Sequence, residues 1–240
     1  MASPLEQFQI KTIIPIHLGG IDASFTNSAL FMTIGVAVAT LFLTLSMRGR
    51  AIVPGRWQSM AELCYEFVAN MIRSNVGAEG RRYFPFIFSL FMFILFGNML
   101  GMIPYSFIYT SHLVVTLGMA MVVFIGTTII GFVKHGFHFF SFFLPHGTPW
   151  YIAPLLIPIE VLSYFTRPVS LSLRLFANMT AGHTMLKVFA SFVVTMGLLG
   201  VVPLLAAVAL TGLEFLIAFL QAYVFTVLTC IYLNDALHMH

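Results

Sequence analysis

The stretch RPVSLSLRLFANMTAGH, Arg167 to His183, sets two arginines, an asparagine and a histidine among apolar and small residues. At 100° per residue, Glu160, Ser163, Arg167, Ser170, Arg174 and Asn178 fall within about 40° of one line, and Ala181 shares that face. The spacing predicts a polar stripe along a long helix that Pro168 either kinks or starts. Such a stripe has its greatest meaning in lipid. A central arginine there costs ~2.5–3.5 kcal/mol on insertion scales, so it marks an ion path or a partner charge.

Composition says that lipid is the setting. Of 240 residues, 60% are hydrophobic and 8% are charged, whereas a soluble surface needs roughly a quarter charged. The net charge of +3 does not indicate nucleic acid, because Arg48, Arg50, Arg56, Arg73, Arg81, Arg82 and Lys134 sit between or beside apolar runs. That placement sets membrane orientation. Cys64 and Cys230 belong to no metal-ligand or redox spacing, and no Walker-type glycine loop is present. The expectation is therefore no metal, no cofactor and no nucleotide chemistry in this chain, which by itself is not an enzyme.

Outward from the stripe, the sequence predicts an all-α polytopic membrane protein of about five membrane helices and one single membrane domain, 1–240. Residues 1–27 lack a cleavable-signal pattern and form an outer segment. Residues 28–150 hold the peripheral elements. Ser28 to Met47 is a span of about 20 residues, enough for a ~30 Å hydrocarbon core. Gly55 to Val76 reads as an amphipathic helix with Met60, Leu63, Phe67 and Met71 on one face, lying on the membrane surface or against another subunit, or else as a cytoplasmic helix packed on the chain itself. Tyr83 to Ile103 and His112 to Val133 form a hairpin around Pro104, and the aromatic, proline-rich segment before Trp150 interrupts the pattern. The basic side faces the cytoplasm, which puts the N-terminus outside and the C-terminus inside.

Residues 151–240 hold a helix pair that is too long for upright spans. Pro168 to Gly197 and Pro203 to Leu233 are each about 30 residues, or ~45 Å, with further apolar length from Ala153 to Phe165. They are expected to tilt strongly, curve or break, and to turn at Gly200 and Pro203. The second helix repeats the polar device, since Glu214, Gln221, Tyr232 and, less closely, Asp235 share a face.

From the residues alone, several roles stay open. Arg174 fits a functional charge, a snorkelling arginine or half of a structural ion pair; Arg167 and Lys187, nearer helix ends, fit snorkelling. His183 lies opposite Arg174 on an ideal helix and fits either a buried hydrogen-bonded residue or a proton relay. Ser170, Asn178 and Gln221 fit interhelical hydrogen bonding as well as a wet path. Glu214, with no basic residue near it in its own helix, calls for a partner on another helix.

The motif Arg167 to His183, together with EFLIAFLQAYVFTVLTCIYL in the last helix and GNMLGMIP in the second span, resembles the signature of ATP synthase subunit a over nearly the whole chain. The resemblance implies a stator channel subunit that delivers protons through two half-channels to the carboxylates of a rotating c-ring, with Arg174 as the fixed charge. It further implies that Asn178, His183, Glu214 and Gln221 belong to the outer access path, and Glu160 and Ser170 to the cytoplasmic exit. The implied partners are the c-ring, peripheral-stalk b subunits, the other synthase subunits and membrane lipid. The implied location is an energy-transducing membrane, a bacterial plasma membrane ahead of the mitochondrial inner membrane. A secondary transporter for an anionic solute is the alternative, against which stands the lack of an inverted repeat or paired broken helices.

Overall fold

The computed structural model describes residues 10–15, 17–18, 21–22, 24–49, 51–103, 106–136, 139 and 152–238. Residues 1–9, 16, 19–20 and 23 of the expected outer segment, Pro104 of the expected hairpin link and most of the aromatic segment before Trp150 lie outside the described residues. Six α-helices form the body: α1 (Asn27–Ser46), α2 (Arg56–Asn75), α3 (Phe84–Gly101), α4 (Leu113–His135), α5 (Ala153–Thr195) and α6 (Val201–Leu237). One feature was not anticipated: ahead of α1, two small antiparallel pairs join β1 (Thr12–Ile14) to β4 (Phe25–Thr26) and β2 (His17–Leu18) to β3 (Ile21–Asp22).

Helix ends follow local chemistry. Thr26 caps α1 by accepting from the Ala29 amide at 3.4 Å. Pro85 occupies the first turn of α3, where a missing N–H costs nothing. α4 stops at Gly136 with φ +57, and α5 stops before Gly197 with φ +59, conformations open to glycine. A short 3-10 turn, Gly197–Gly200, then links α5 to α6, and a Cβ on Gly200 would stand 2.5 Å from the Val193 carbonyl oxygen. The expected turn near Gly200 is thus present, with Pro203 in the first turn of α6.

α5 takes in the apolar stretch from Ala153 to Phe165. It runs 43 residues, starts at Ala153 and continues through both Pro158 and Pro168, so Pro168 neither starts nor ends it. Four helical stretches are long and apolar enough to cross a membrane among the described residues: Asn27–Ser46, Ala78–Gly101, Leu113–His135 and Val201–Leu237. α5 packs between α4 and α6 as the fifth long helix, its own run broken by the polar stripe. The protein is an all-α polytopic membrane protein, and its outward valines show the solvent it expects: Val114, Val133 and Val194 are each 82% exposed.

α3 and α6 cross near the centre of the packed core, which includes Phe91 and Ile94 of α3, Leu171 and Leu175 of α5, and Phe225 of α6. The glycines of GNMLGMIP have a steric reason. The segment after α3 folds back, so that Tyr109 donates its hydroxyl to the Phe93 carbonyl at 2.9 Å while lying over Gly97, where a Cβ would sit 2.1 Å from the Tyr109 oxygen. Gly101 likewise receives Ile108. α2 packs on the chain by one face and leaves part of its apolar row outside. Ala61, Val68, Met71 and Ile72 are buried, whereas the expected Met60 and Leu63 are exposed. Phe67 bridges to Phe91, Phe219 and Tyr223, and this aromatic contact with α3 and α6 sets which face is buried.

Candidate functional site

The α5–α6 pair is antiparallel, and three polar contacts measure its register. Arg167 Nη1 donates to Asp235 Oδ2 at 2.9 Å, Asn178 Nδ2 donates to Gln221 Oε1 at 2.9 Å, and His183 Nε2 lies 3.1 Å from Glu214 Oε1. The partners run forward on α5 and backward on α6. At 1.5 Å per residue the outermost two contacts stand about 24 Å apart along α5, so polar groups extend along most of a hydrocarbon layer's depth.

Arg174 sits between them, about 10 Å from Arg167 and about 13 Å from His183 along the helix. It is exposed, and among the described residues it forms no hydrogen bond or ion pair. Among the described residues the fold therefore builds no structural ion pair on Arg174. Ser170, Ala177, Asn178 and Ala181, all within about 60° of it on the helix, are also exposed, so the guanidinium stands on an outer face of small and polar residues. Such a face would be costly to present to lipid alone.

Arg167 is held by partners within the fold. It lies well inside α5, its side chain is part-buried, and its guanidinium carbon stands 5.6 Å from the Tyr164 ring centroid and 5.3 Å from that of Tyr232. α5 begins 15 residues before Pro168, as the apolar stretch from Ala153 to Phe165 allowed, and this sets Arg167 away from the helix end. Lys187 too lies within α5.

His183 and Glu214 are both largely buried, with side chains 11% and 4% exposed. Their contact is at ion-pair distance but lacks hydrogen-bond alignment, which leaves His183 Nε2 and both Glu214 oxygens without a hydrogen-bond partner. Gln221 Nε2 is a third orphan. Buried polar atoms are nearly always satisfied, so a cluster of unsatisfied ones is a place for mobile partners such as water or a transferred proton.

Glu160 and Ser170 keep their places on the stripe, part-exposed and exposed, and the structure brings neither into a side-chain hydrogen bond among the described residues. Asn98 is a polar residue that sequence reasoning passed over. Fully buried on α3, it donates Nδ2 to the Ala218 carbonyl of α6 at 3.1 Å, one turn from Glu214 and Gln221, while its Oδ1 stays unpaired. A lone amide inside an apolar helix was the available signal. Among the described residues no group of three or more His, Cys, Asp or Glu could hold a metal ion.

The basic residues gather at one end of the bundle. Lys134 pairs with Glu79, His135 Nε2 meets the Leu237 carbonyl at 3.3 Å, and Arg167 meets Asp235. The opposite end holds the turn after α3, where Thr180 donates to the Ser111 carbonyl at 3.4 Å, three residues from His183.

Known proteins are similar to this chain along its whole length. The family profile described as ATP synthase A chain matches residues 29–234. A protein of Paramagnetospirillum magneticum named ATP synthase subunit a is 60% identical with full coverage of both chains. Its counterpart of the same name in Rhodospirillum rubrum is 59% identical, also over both full lengths. A third, from Parvibaculum lavamentivorans, is 58% identical over 98% of this chain and 93% of its own. With a profile that spans the helix bundle from α1 to α6 and relatives this similar from end to end, the chain belongs to the ATP synthase A chain family.

Proposed function

We propose that this chain is the stator channel subunit of a rotary ATP synthase, passing protons to and from carboxylates on a partner ring at Arg174. The observation that carries the reading is the position of Arg174. It is an exposed cation without a hydrogen bond or ion pair among the described residues, set on an outer face of small and polar residues, with buried unsatisfied polar groups toward one end of α5 and the rest of the polar stripe toward the other. Placing the basic end of the bundle in the cytoplasm puts His183, Glu214, Asn178 and Gln221 in the outer access path, and Ser170 and Glu160 on the exit.

Chemistry follows from the groups present. A guanidinium stays protonated and cannot shuttle protons; it attracts an ionised carboxylate and favours release of that carboxylate's proton. An ionised carboxylate leaving Arg174 must be neutralised before it meets lipid, where charge is costly. Protonation through His183 and Glu214 on one side, and release along Ser170 and Glu160 on the other, makes the ring turn the shortest route for a proton. The fixed positive charge between the two paths opposes a direct leak. Each proton crossing the full potential supplies ~2.3 kcal/mol per 100 mV. The ring, the peripheral-stalk b subunits and the nucleotide-processing subunits are the partners this role requires.

Arg174→Ala tests the reading, because it removes a charge and no packed side chain. The expected result is an assembled complex without proton-driven ATP synthesis, read in inverted membrane vesicles with subunit content checked by immunoblot. Synthesis at the parental rate in that assembled variant would overturn the proposal.

A further inference from the structure

Arg167 stands seven residues before Arg174 on nearly the same face of α5, so the stripe carries two arginines about 10 Å apart. The structure treats them differently. Arg174 is exposed, whereas Arg167 is drawn onto α6 by Asp235 at 2.9 Å and lies against the rings of Tyr164 and Tyr232. Tyr164 in turn shares a 2.6 Å hydrogen bond with Thr128 of α4, so residues on three helices hold this one guanidinium. We infer that Asp235 is a specificity-determining residue: by neutralising and orienting Arg167, it leaves Arg174 as the one stripe arginine that an external carboxylate meets.

The inference rests on the proposed channel role and deepens it. Two equivalent cations two turns apart would give a passing carboxylate two docking positions. The second position would hold the ionised form beyond its point of release and slow the step. Neutralisation must come from a carboxylate in contact, because a cation in a low-dielectric setting is felt over several ångströms. Asp235 meets that condition at hydrogen-bond distance. The tyrosine rings add cation–π attraction from two sides and hold the planar group in place without adding charge.

A purely structural latch and a charge-neutralising device differ in one outcome. If Asp235 only ties α6 to α5, then removing both partners is as damaging as removing one. If it silences Arg167, then Asp235→Asn is damaging because Arg167 is released, and adding Arg167→Gln repairs the defect.

The experiment measures ATP synthesis and ATP-driven proton pumping in membrane vesicles for Asp235→Asn, Arg167→Gln/Asp235→Asn and Arg174→Ala, each normalised to assembled complex. The expected result is a several-fold loss in Asp235→Asn and near-parental rates in the double variant. Parental rates in Asp235→Asn overturn the inference, as do equal losses in the single and double variants. If Asp235→Asn does not assemble, the double variant decides alone. Near-parental synthesis supports neutralisation, and a defect or failed assembly shows a structural latch. Arg174→Ala separates the two levels: activity there overturns the channel reading itself, whereas an inactive Arg174→Ala beside a parental Asp235→Asn overturns this inference only.

Discussion

Glu214 Oε1 lies 3.1 Å from His183 Nε2, and the carboxylate reaches the imidazole by crossing the bare Cα of Gly182, where a Cβ would stand 2.7 Å from that oxygen. Asn178 and His183 diverge by roughly 140° on α5. Even so, Asn178 meets Gln221 and His183 meets Glu214, two residues on one face of α6. The missing side chain at position 182 is what lets a single α6 face serve both.

This proximity predicts coupled effects. His183→Ala and Glu214→Gln should each slow proton-driven ATP synthesis, on the order of the 10²-fold that a positioned proton-transfer group supplies. The double variant should be no slower than the worse single one, because the two act in one relay. Passive proton flux through membranes stripped of the catalytic sector should not rise, since Arg174 is untouched. Additive losses would show two independent roles.

Gly182→Ala should reproduce much of the Glu214→Gln defect by pushing the carboxylate aside. The check is the combination: once Glu214 is already glutamine, adding Gly182→Ala should cost little further synthesis. A full additional loss would mean that position 182 matters through helix packing instead.

Arg174→Lys should be strongly impaired although it keeps the charge. A lysine ammonium is a compact, strongly hydrated point charge that can lose its proton when desolvated, and it lacks the planar fork that pairs with a carboxylate. Rates of ATP synthesis across pH 6 to 9 measure this, with assembled Arg174→Lys expected far below the parent throughout. Parental rates would show that any cation suffices.

The motif GNMLGMIP yields a stability prediction. Gly97→Ala places a methyl where the Tyr109 hydroxyl lies, and overpacking of this kind costs about 1–3 kcal/mol. Thermal unfolding of the detergent-solubilised complex should report a lower midpoint. Gly118→Ala, on open helix surface with nothing within 4 Å, serves as the neutral comparison.

The sequence made the helices, the polar stripe on α5 and its counterpart on α6 legible, because each depends on residue type and a 100° step. Contacts that need a third dimension were less so. The sequence shows Asp235 only as an inexact member of a face, and its partner Arg167 as a residue near a helix end, since the apolar stretch from Ala153 to Phe165 suggests an earlier start but Pro158 and Pro168 leave open whether one helix runs through them. The face that α2 buries stayed open for a similar reason. Its apolar residues are spread widely enough that packing of Phe67 against α3 and α6, rather than periodicity, chooses among them. Asn98 and Gly182 gave signals of composition only, and their meaning lies in the helices that cross them.

The last prediction concerns inclination. α5 and α6 are 43 and 37 residues long, about 65 Å and about 55 Å, against a hydrocarbon layer of ~30 Å and a full bilayer of ~40–45 Å. Their apolar residues are exposed from end to end: Leu155 and Val194 on α5 are about 58 Å apart along the axis, and Val201 and Ile231 on α6 about 45 Å. Upright helices would push one or both ends of these apolar faces into water, at about 25 cal/mol for each Å² left exposed. Inclination shortens the projected length and keeps the faces in lipid or against a partner. Both helices should therefore lean by more than the usual ~20° from the membrane normal. A structure of the assembled complex in a lipid nanodisc, with the bilayer visible, gives the angle directly. Angles within ~20° of the normal for both helices would show that their excess length is carried outside the membrane, and that the faces lined by Leu155 and Val194 are covered by protein beyond it.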